Sequence, residues 1–432
     1  MKVGILGSGL TGLTIAKFLE CDYEVLEKEK ECGGLCRSIN DEGFVFDYGG
    51  AHAIFSRDKE ILGVMVKILG SNTAKNRRNS KVFFKGRYVK YPFENGLSDL
   101  PKKDNFECLY HYLKNDYKKP TNFKEWIYYT FGKGIAEKYM VPYNEKIWNI
   151  KAELMNMEWV EGRIPKPPVG DVVKSSLGIE TEGYKHQLFF YYPLKGGIQA
   201  FIKSLESGLK ITRNFEIKKV IKEDNKWIVS DGKDKREFDK IVSTIPIFDL
   251  INCLDNVPED VKKAISGLRY NSLITVLIGI DKEHLSDISW LYIPDKEFAF
   301  HKMSFPKNYS KFTVPEGKSA VMAEITANKE DGFWEKSDKE IIEHVVNGLN
   351  KMKIINKNDI FYTNVIRSKY AYIVYTIDYY KNLKIVKDFI KKQEIEICGR
   401  FAEFEYLNMD ACIKRGIAMA KNMRGNKGRL KF

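Results

Sequence analysis

Gly7-Ser8-Gly9-Leu10-Thr11-Gly12, preceded by the apolar run of residues 1–6 and followed by residues at helical period, decides the fold. The order reads as a buried strand, a glycine turn and a helix start. Each glycine has its own task. Gly7 makes the tight turn, Gly9 lets backbone approach a pyrophosphate, and Gly12 lets the helix pack close on the strand. The backbone N–H groups of Leu10, Thr11 and Gly12, at the positive end of the helix dipole, then face the phosphates. A second strand, residues 23–26, ends in Glu27, twenty residues past Gly7, with Lys28 after it. That is the spacing of a carboxylate that bonds a ribose hydroxyl. Together these features predict a dinucleotide site.

The next segments narrow the choice of dinucleotide. Cys32-Gly33-Gly34-Leu35-Cys36-Arg37-Ser38 supplies a second glycine pair with an arginine, and Phe44-Val45-Phe46-Asp47-Tyr48-Gly49-Gly50-Ala51-His52 a third. This run resembles FAD enzymes of the amine-oxidase type, in which the chain continues beside the pyrophosphate towards the flavin ring. The resemblance implies FAD, with Gly34, Leu35, Arg37, Gly50, Ala51 and His52 along it.

Composition bounds the rest. A chain of 432 residues with 44% hydrophobic content exceeds one usual core, so two or three lobes are expected. The net charge of +13 admits nucleic acid, a membrane surface or anionic small molecules as partners. Basic residues are scattered, apart from residues 75–90 and the tail 421–431, and no nucleic-acid motif accompanies them. A solvated lysine-rich surface is the first account, and a phosphorylated substrate the second. No apolar run reaches the roughly 18–20 residues of a membrane span, and the N-terminus lacks a basic leader pattern. The seven cysteines are odd in number and spread out, and nothing completes a zinc set around Cys32 and Cys36. Idle thiols in a reducing cytoplasm, with no metal, are the expectation.

Along the chain, residues 58–69 carry apolar side chains at helical spacing, and residues 81–91 alternate as strands around a Gly86 turn. Helices are expected at 105–115, 171–178, 198–205 and 339–349, and a helix–loop–helix over 122–148. Strands are expected at 188–192, 215–222, 226–229, 240–246, 273–279, 290–293, 298–303, 320–325, 364–370 and 395–400. Asp410 is expected as the N-cap of a helix over 411–423, whose positive end would face the flavin. Residues 184–187 are singled out as a loop able to move.

The order of several further pieces resembles UDP-galactopyranose mutase of the eukaryotic branch and its protoporphyrinogen-oxidase-like relatives. These pieces are His52-Ala53-Ile54-Phe55-Ser56, Tyr91-Pro92-Phe93-Glu94-Asn95, Phe123…Trp126, Pro142-Tyr143-Asn144…Trp148, Trp290-Leu291-Tyr292, Asn308-Tyr309-Ser310 and Gly399-Arg400-Phe401…Tyr406. The resemblance implies an α/β protein: a Rossmann-like FAD domain with a helical insertion and a mixed β-sheet substrate domain. The corresponding division is FAD domain 1–85, insertion 86–190, FAD domain 191–265, substrate sheet 266–385 and FAD domain 386–432.

It also implies a chemistry without net redox change, in which a flavin N5 adduct lets a nucleotide sugar interconvert between pyranose and furanose forms. Catalytic roles fall to His52, Lys302 and Tyr406. Arg78, Val220, Gly399, Arg400, Asp410 and Ala411 join the cofactor set, Val220 through its backbone beside the adenine. Tyr91, Trp126, Tyr143, Asn144, Trp290, Tyr292, Lys302, Tyr372, Tyr375 and Tyr406 form the substrate set. Where the mutase carries two diphosphate-binding arginines this chain has Val141 and Lys302, and Lys133, Lys138 or Arg163 are the candidates to make up the charge. Glu94 stands where the mutase has a glutamine near the uracil. The competing reading is an FAD-dependent oxidoreductase acting on another small molecule.

Overall fold

In a computed structural model, which describes residues 1–161, 163–183 and 188–423, strand Lys2–Leu6 lies at the centre of a five-stranded parallel sheet. Its neighbours are Lys240–Ser243 and Asp22–Leu26, with Glu396–Ile397 and Ile211–Thr212 at the edges. Both faces are covered, which is why the first strand is an unbroken apolar run rather than an alternating one. Helices Leu10–Phe18 and Met409–Met423 pack against each other beside it. On Gly4, the Phe238 ring of a three-stranded antiparallel sheet approaches so closely that a Cβ would lie 2.6 Å from it. Residues 184–187 and the tail beyond residue 423 lie outside the described residues.

A second, seven-stranded sheet runs in the order Ile360–Val374, Arg269–Ile280, Ser319–Ala327, Lys302–Ser304, Trp290–Tyr292, Ser80–Phe84, Arg87–Lys90. Only the Trp290–Tyr292 pairing with Ser80–Phe84 is parallel. The hairpin of residues 80–90 therefore belongs to this sheet, and a boundary at 85 cuts through it. The helical insertion, with helices Lys102–Leu113, Phe123–Ile135, Val141–Trp148 and Val169–Ser176, shares one hydrophobic cluster with residues of both sheets, Leu6 and Leu26 of the first and Val82 and Val89 of the second among them. The fold is mixed α/β, as expected.

Several local expectations need correction. The loop expected within residues 122–148 is absent: helix Phe123–Ile135 is kinked at Gly132 (φ 69°, ψ 165°) and runs through a π turn, Ala136–Met140, into the next helix. The glycines that look like a loop serve close packing, since a Cβ on Gly132 would lie 2.2 Å from the His111 carbonyl and one on Gly134 2.6 Å from the Cys108 Cα. Of the strand expected at 298–303, only Lys302 onward pairs; Phe298 and Phe300 instead plug the hydrophobic cluster beneath the sheet. Residues 215–218 precede their strand, which is Lys219–Glu223. Helix Met409–Met423 begins two residues early, so Asp410 lies in its first turn and accepts from Ser56 Oγ (2.6 Å). All seven cysteines are free thiols, and burial pushes Cys32 up to about 11, the behaviour of an unreactive thiol.

Candidate active site

The glycine turn is built as its spacing demands. Gly7 has φ +99°, and a Cβ on Gly12 would lie 2.1 Å from the Gly7 carbonyl oxygen. A Cβ on Gly9 would meet nothing within 4 Å. The missing side chain there leaves open space beside the helix start, where a ligand's phosphates belong. The second glycine pair explains itself in three dimensions. Gly33 donates to the Ser8 carbonyl (2.9 Å) and bridges to Gly9, while Gly34 (φ +59°) faces the Gly9 Cα.

Glu27 is buried and held by Ser8 N–H (2.9 Å), Ser8 Oγ (2.5 Å) and Glu29 N–H (2.9 Å). A carboxylate has about four acceptor positions, so capacity remains for a ribose hydroxyl. Lys28 is exposed beside it. Arg37 donates from Nε to the Gly34 carbonyl (2.9 Å) and lies over Tyr48. Gly399 is forced by Thr11, 2.6 Å from where a Cβ would sit. Val220 donates its N–H to the Cys253 carbonyl (2.9 Å), so that one backbone group is not offered to an adenine.

Downstream of the cradle, Asp47 acts as an anchor that sequence reasoning passed over. It accepts from Ser38 Oγ (2.9 Å), Tyr192 O–H (2.8 Å), Ile198 N–H (3.1 Å) and His52 N–H (3.0 Å). It thereby ties the Gly50-Ala51-His52 loop to the helix Gly197–Glu206. Burial lowers the His52 pKa, so the imidazole is neutral, and its buried Nδ1 has no partner among the described residues. Arg400 Nε is likewise buried and unpartnered, although its other nitrogens donate to Leu407 and Ala371 carbonyls (2.9 and 2.6 Å). Buried polar atoms left open are rare in folded chains and are what a bound cofactor or substrate satisfies.

The largest omission from the sequence reading is Glu324. It is 1% exposed, accepts from Lys302 Nζ at 2.8 Å, stands 3.5 Å from Tyr372 O–H, and would touch a Cβ on Gly50 at 2.9 Å. The signal was available: it is the only charged residue in the strand Ser319–Ala327. The Glu324 charge and hydrogen bond raise the Lys302 pKa against the opposing effect of burial, so the lysine is cationic.

Around this pair the tyrosines converge. Tyr372 and Tyr406 stack with centroids 6.1 Å apart, Tyr292 touches both Tyr91 (4.6 Å) and Tyr143 (5.3 Å), and Trp290 Nε1 donates to Tyr292 O–H (2.9 Å). Arg78 lies over Tyr91 (5.6 Å), and Arg400 (4.1 Å) and Arg163 (5.2 Å) both lie over Tyr406. Of the three cations proposed to replace an arginine, Arg163 alone sits with these tyrosines. Lys138 is tied to Asp104 and Glu107 on the insertion, and Lys133 is exposed. Trp126 stands further off, at the end of an aromatic series through Phe123 and Trp159 to Trp148 and Tyr375.

Two expected substrate residues are spent on the scaffold. Asn144 donates to the Met140 carbonyl (2.7 Å) and accepts from Trp148 Nε1 (3.1 Å). Tyr375 O–H accepts from Tyr406 N–H (2.7 Å), positioning Tyr406 instead of meeting substrate.

Glu94 is buried, and burial pushes its carboxyl up from the usual 4.5 to about 7. A raised folded-state pKa means the folded protein keeps this proton longer. The stability it contributes is complete below pH 4.5 and is lost as pH rises through about 7. Glu94→Gln, which mimics the protonated form, is expected to match wild type at about pH 4 and exceed it by up to about 3 kcal/mol at pH 8. Urea melts at the two pH values measure this; an equal difference at both would remove burial as the cause.

The comparisons agree with this geometry. The family model described as flavin containing amine oxidoreductase matches residues 10–382. Coproporphyrinogen III oxidase of Staphylococcus aureus is 20% identical over 98% of each chain. Among solved structures, reduced UDP-galactopyranose mutase superposes with a TM-score of 0.89 at 26% identity, covering 99% of this chain and 96% of that one. A putative protoporphyrinogen oxidase from Exiguobacterium sp. 255-15 shares the fold, with a TM-score of 0.77 at 15% identity over 99% of both chains. FAD is the dinucleotide of this chain, and the open glycine cradle, the held Glu27 and the unpartnered His52 and Arg400 atoms fit it.

Proposed function

Because the chain belongs to the flavin-containing amine oxidoreductase family, we propose that it works by flavin chemistry on a nucleotide sugar, as a mutase of ring form. The observation that carries this reading is the convergence of Arg163 and Arg400 on Tyr406 of the stacked Tyr372–Tyr406 pair, with Arg78 over Tyr91 in the neighbouring tyrosine group. Such a set suits a diphosphate, which takes charge from guanidinium groups and hydrogen bonds from phenols. The Gly7–Gly12 turn, Glu27, Gly34, Leu35, Arg37, Gly50 and Ala51 would hold the cofactor, and the first turn with Asp410 and Ala411 would face its ring. When bound and reduced, FAD supplies an electron-rich centre that can receive a sugar's anomeric carbon without net oxidation.

The chain's own groups do the rest. Burial keeps Tyr372 protonated at any physiological pH, so its hydroxyl is a donor to an anion. Neutral His52, fixed through its backbone by Asp47, can pass or accept a proton beside the ring. Lys302 and Glu324 set a cation and an anion within 2.8 Å, one able to donate and the other to accept at a sugar hydroxyl. The aromatic walls exclude water and strengthen each of these contacts.

One observation favours the second reading, a true oxidoreductase. The Lys302 charge is answered by Glu324 inside the site and is not left over for a phosphate. Calorimetry of UDP binding to the holoprotein, oxidised and then dithionite-reduced, separates the two. A mutase should bind more tightly when reduced, and Tyr406→Phe should weaken binding about tenfold, ~1.5 kcal/mol for a hydrogen bond to a charged group. No binding in either state overturns the mutase and leaves the oxidoreductase.

A further inference from the structure

Helix Lys102–Leu113 of the insertion buries Asp104, Cys108 and Tyr112 and turns Phe106, Tyr110 and Leu113 outward, at i, i+4 and i+7 on one face. Phe106 is 65% exposed and Leu113 53%, and the Phe106 and Tyr110 rings stack on each other at the surface, 5.7 Å apart. Helix Val169–Ser176 runs beside it in the opposite direction. Asn105 and Ser176 exchange two hydrogen bonds (3.0 and 2.7 Å), and Tyr112 O–H donates to the Pro167 carbonyl (2.6 Å). The exposed Val169 and Leu177, at the two ends of the second helix, thereby flank the first helix's stripe. Tyr129 adds a third exposed ring, with Lys166 over it (5.6 Å). Among the described residues sixteen large hydrophobic side chains are exposed, and nine of them fall within residues 106–179. Apolar groups exposed singly are ordinary, whereas such a concentration marks a contact surface.

The charge around the stripe has one sign. The segments that carry it, residues 102–119 and 166–180, hold seven lysines and five acids. Two of those acids are answered from outside the segments: Asp104 meets Lys85 (2.9 Å) and Lys138 (3.1 Å), and Glu107 meets Lys138 (2.7 Å), with Lys103 a looser 4.0 Å away. Seven exposed lysines thus stand against Asp116, Asp171 and Glu180. Lys102 and Lys103 lie one turn before Phe106 and Lys114 follows Leu113, so cations bracket the apolar stripe at both ends.

A second copy on this face is opposed by charge, because an isologous contact sets the lysine-rich patch against its own image. An anionic lipid surface suits both parts. Phenylalanine and leucine side chains enter the headgroup boundary, tyrosine rings keep a wet hydroxyl, and lysines meet the phosphates. No helix among the described residues is long and apolar enough to cross a membrane, so such contact is peripheral. We propose that the outer face of helices Lys102–Leu113 and Val169–Ser176 docks on an anionic lipid surface. It shares no residue with the flavin and substrate sets and is independent of that reading.

The holoprotein is sedimented with vesicles of phosphatidylcholine alone, and of phosphatidylcholine with about one-third phosphatidylglycerol. Binding to the anionic vesicles is expected to be at least about tenfold tighter, and to fall at least about tenfold as salt is raised from about 0.1 to 0.5 M. Phe106→Ser/Leu113→Ser alters two exposed side chains and should weaken binding at least about tenfold, with far-UV circular dichroism and FAD content unchanged. Acylation footprinting of the wild-type chain needs no variant: anionic vesicles should shield Lys103 and Lys114 but not the exposed Lys357, just before strand Ile360–Val374. Equal binding to both vesicle types, or shielding spread evenly over exposed lysines, overturns the proposal. So does a dimer in sedimentation velocity that Phe106→Ser/Leu113→Ser dissolves, which gives the face to a second copy.

Discussion

Gly9→Ala is expected to give a folded protein that purifies without its yellow colour. The added methyl meets no protein atom within 4 Å, so the apo chain loses nothing and its melting behaviour should match that of apo wild type. The methyl instead occupies the space through which a pyrophosphate must approach the helix start. Forcing a methyl into a closely packed contact costs about 1–3 kcal/mol, roughly 10- to 100-fold in FAD affinity. Gly12→Ala tests the opposite case. Its Cβ would stand 2.1 Å from the Gly7 carbonyl, so helix and strand must part, and a folded product is not expected. FAD titration by flavin fluorescence quenching, with circular dichroism of the apo forms, reads both. A Gly9→Ala protein that keeps full affinity would place the pyrophosphate elsewhere.

Lys302→Met should destabilise the protein by about 3–5 kcal/mol, because it leaves the buried Glu324 carboxylate without its counter-charge. The double variant Lys302→Met/Glu324→Gln, neutral at both positions, should recover most of that loss. The sign against pH follows from the raised Lys302 pKa. The contribution of the pair is complete below the usual lysine value of 10.5 and disappears only as pH climbs past the folded-state value. Urea melts of the two single variants and the double supply the cycle; losses that simply add would mean the two charges do not act as a pair. Neither variant is expected to turn over substrate, since both remove groups placed in the reaction site.

The sequence determined by itself whatever depends on neighbours along the chain. FAD followed from the resemblance of the later glycine pairs to amine-oxidase-type enzymes, while the strand–turn–helix at Gly7–Gly12 and the acidic Glu27 rest on spacings of a few to twenty residues, which backbone geometry enforces locally. The same holds for the amphipathic helices and for the strands whose side chains alternate. Tertiary structure decided what depends on close approach between distant segments. Gly132 and Gly134 look like a loop until helix Lys102–Leu113 is laid against them, and Phe298 and Phe300 look like a strand until the core beneath the sheet claims them. Asn144 and Tyr375 carry the right chemistry for a substrate but spend it on the Met140 carbonyl, Trp148 and the Tyr406 amide. Asp47 and the placement of Arg163 over Tyr406 emerge only when segments 151 and 243 residues apart meet, whereas Glu324 was legible as the one acid of its strand and only its pairing with Lys302 needed the sheet. A charge is functional or structural according to its partner in space, and hydrogen-bond partners 22, 151 or 243 residues away leave no local periodicity to read.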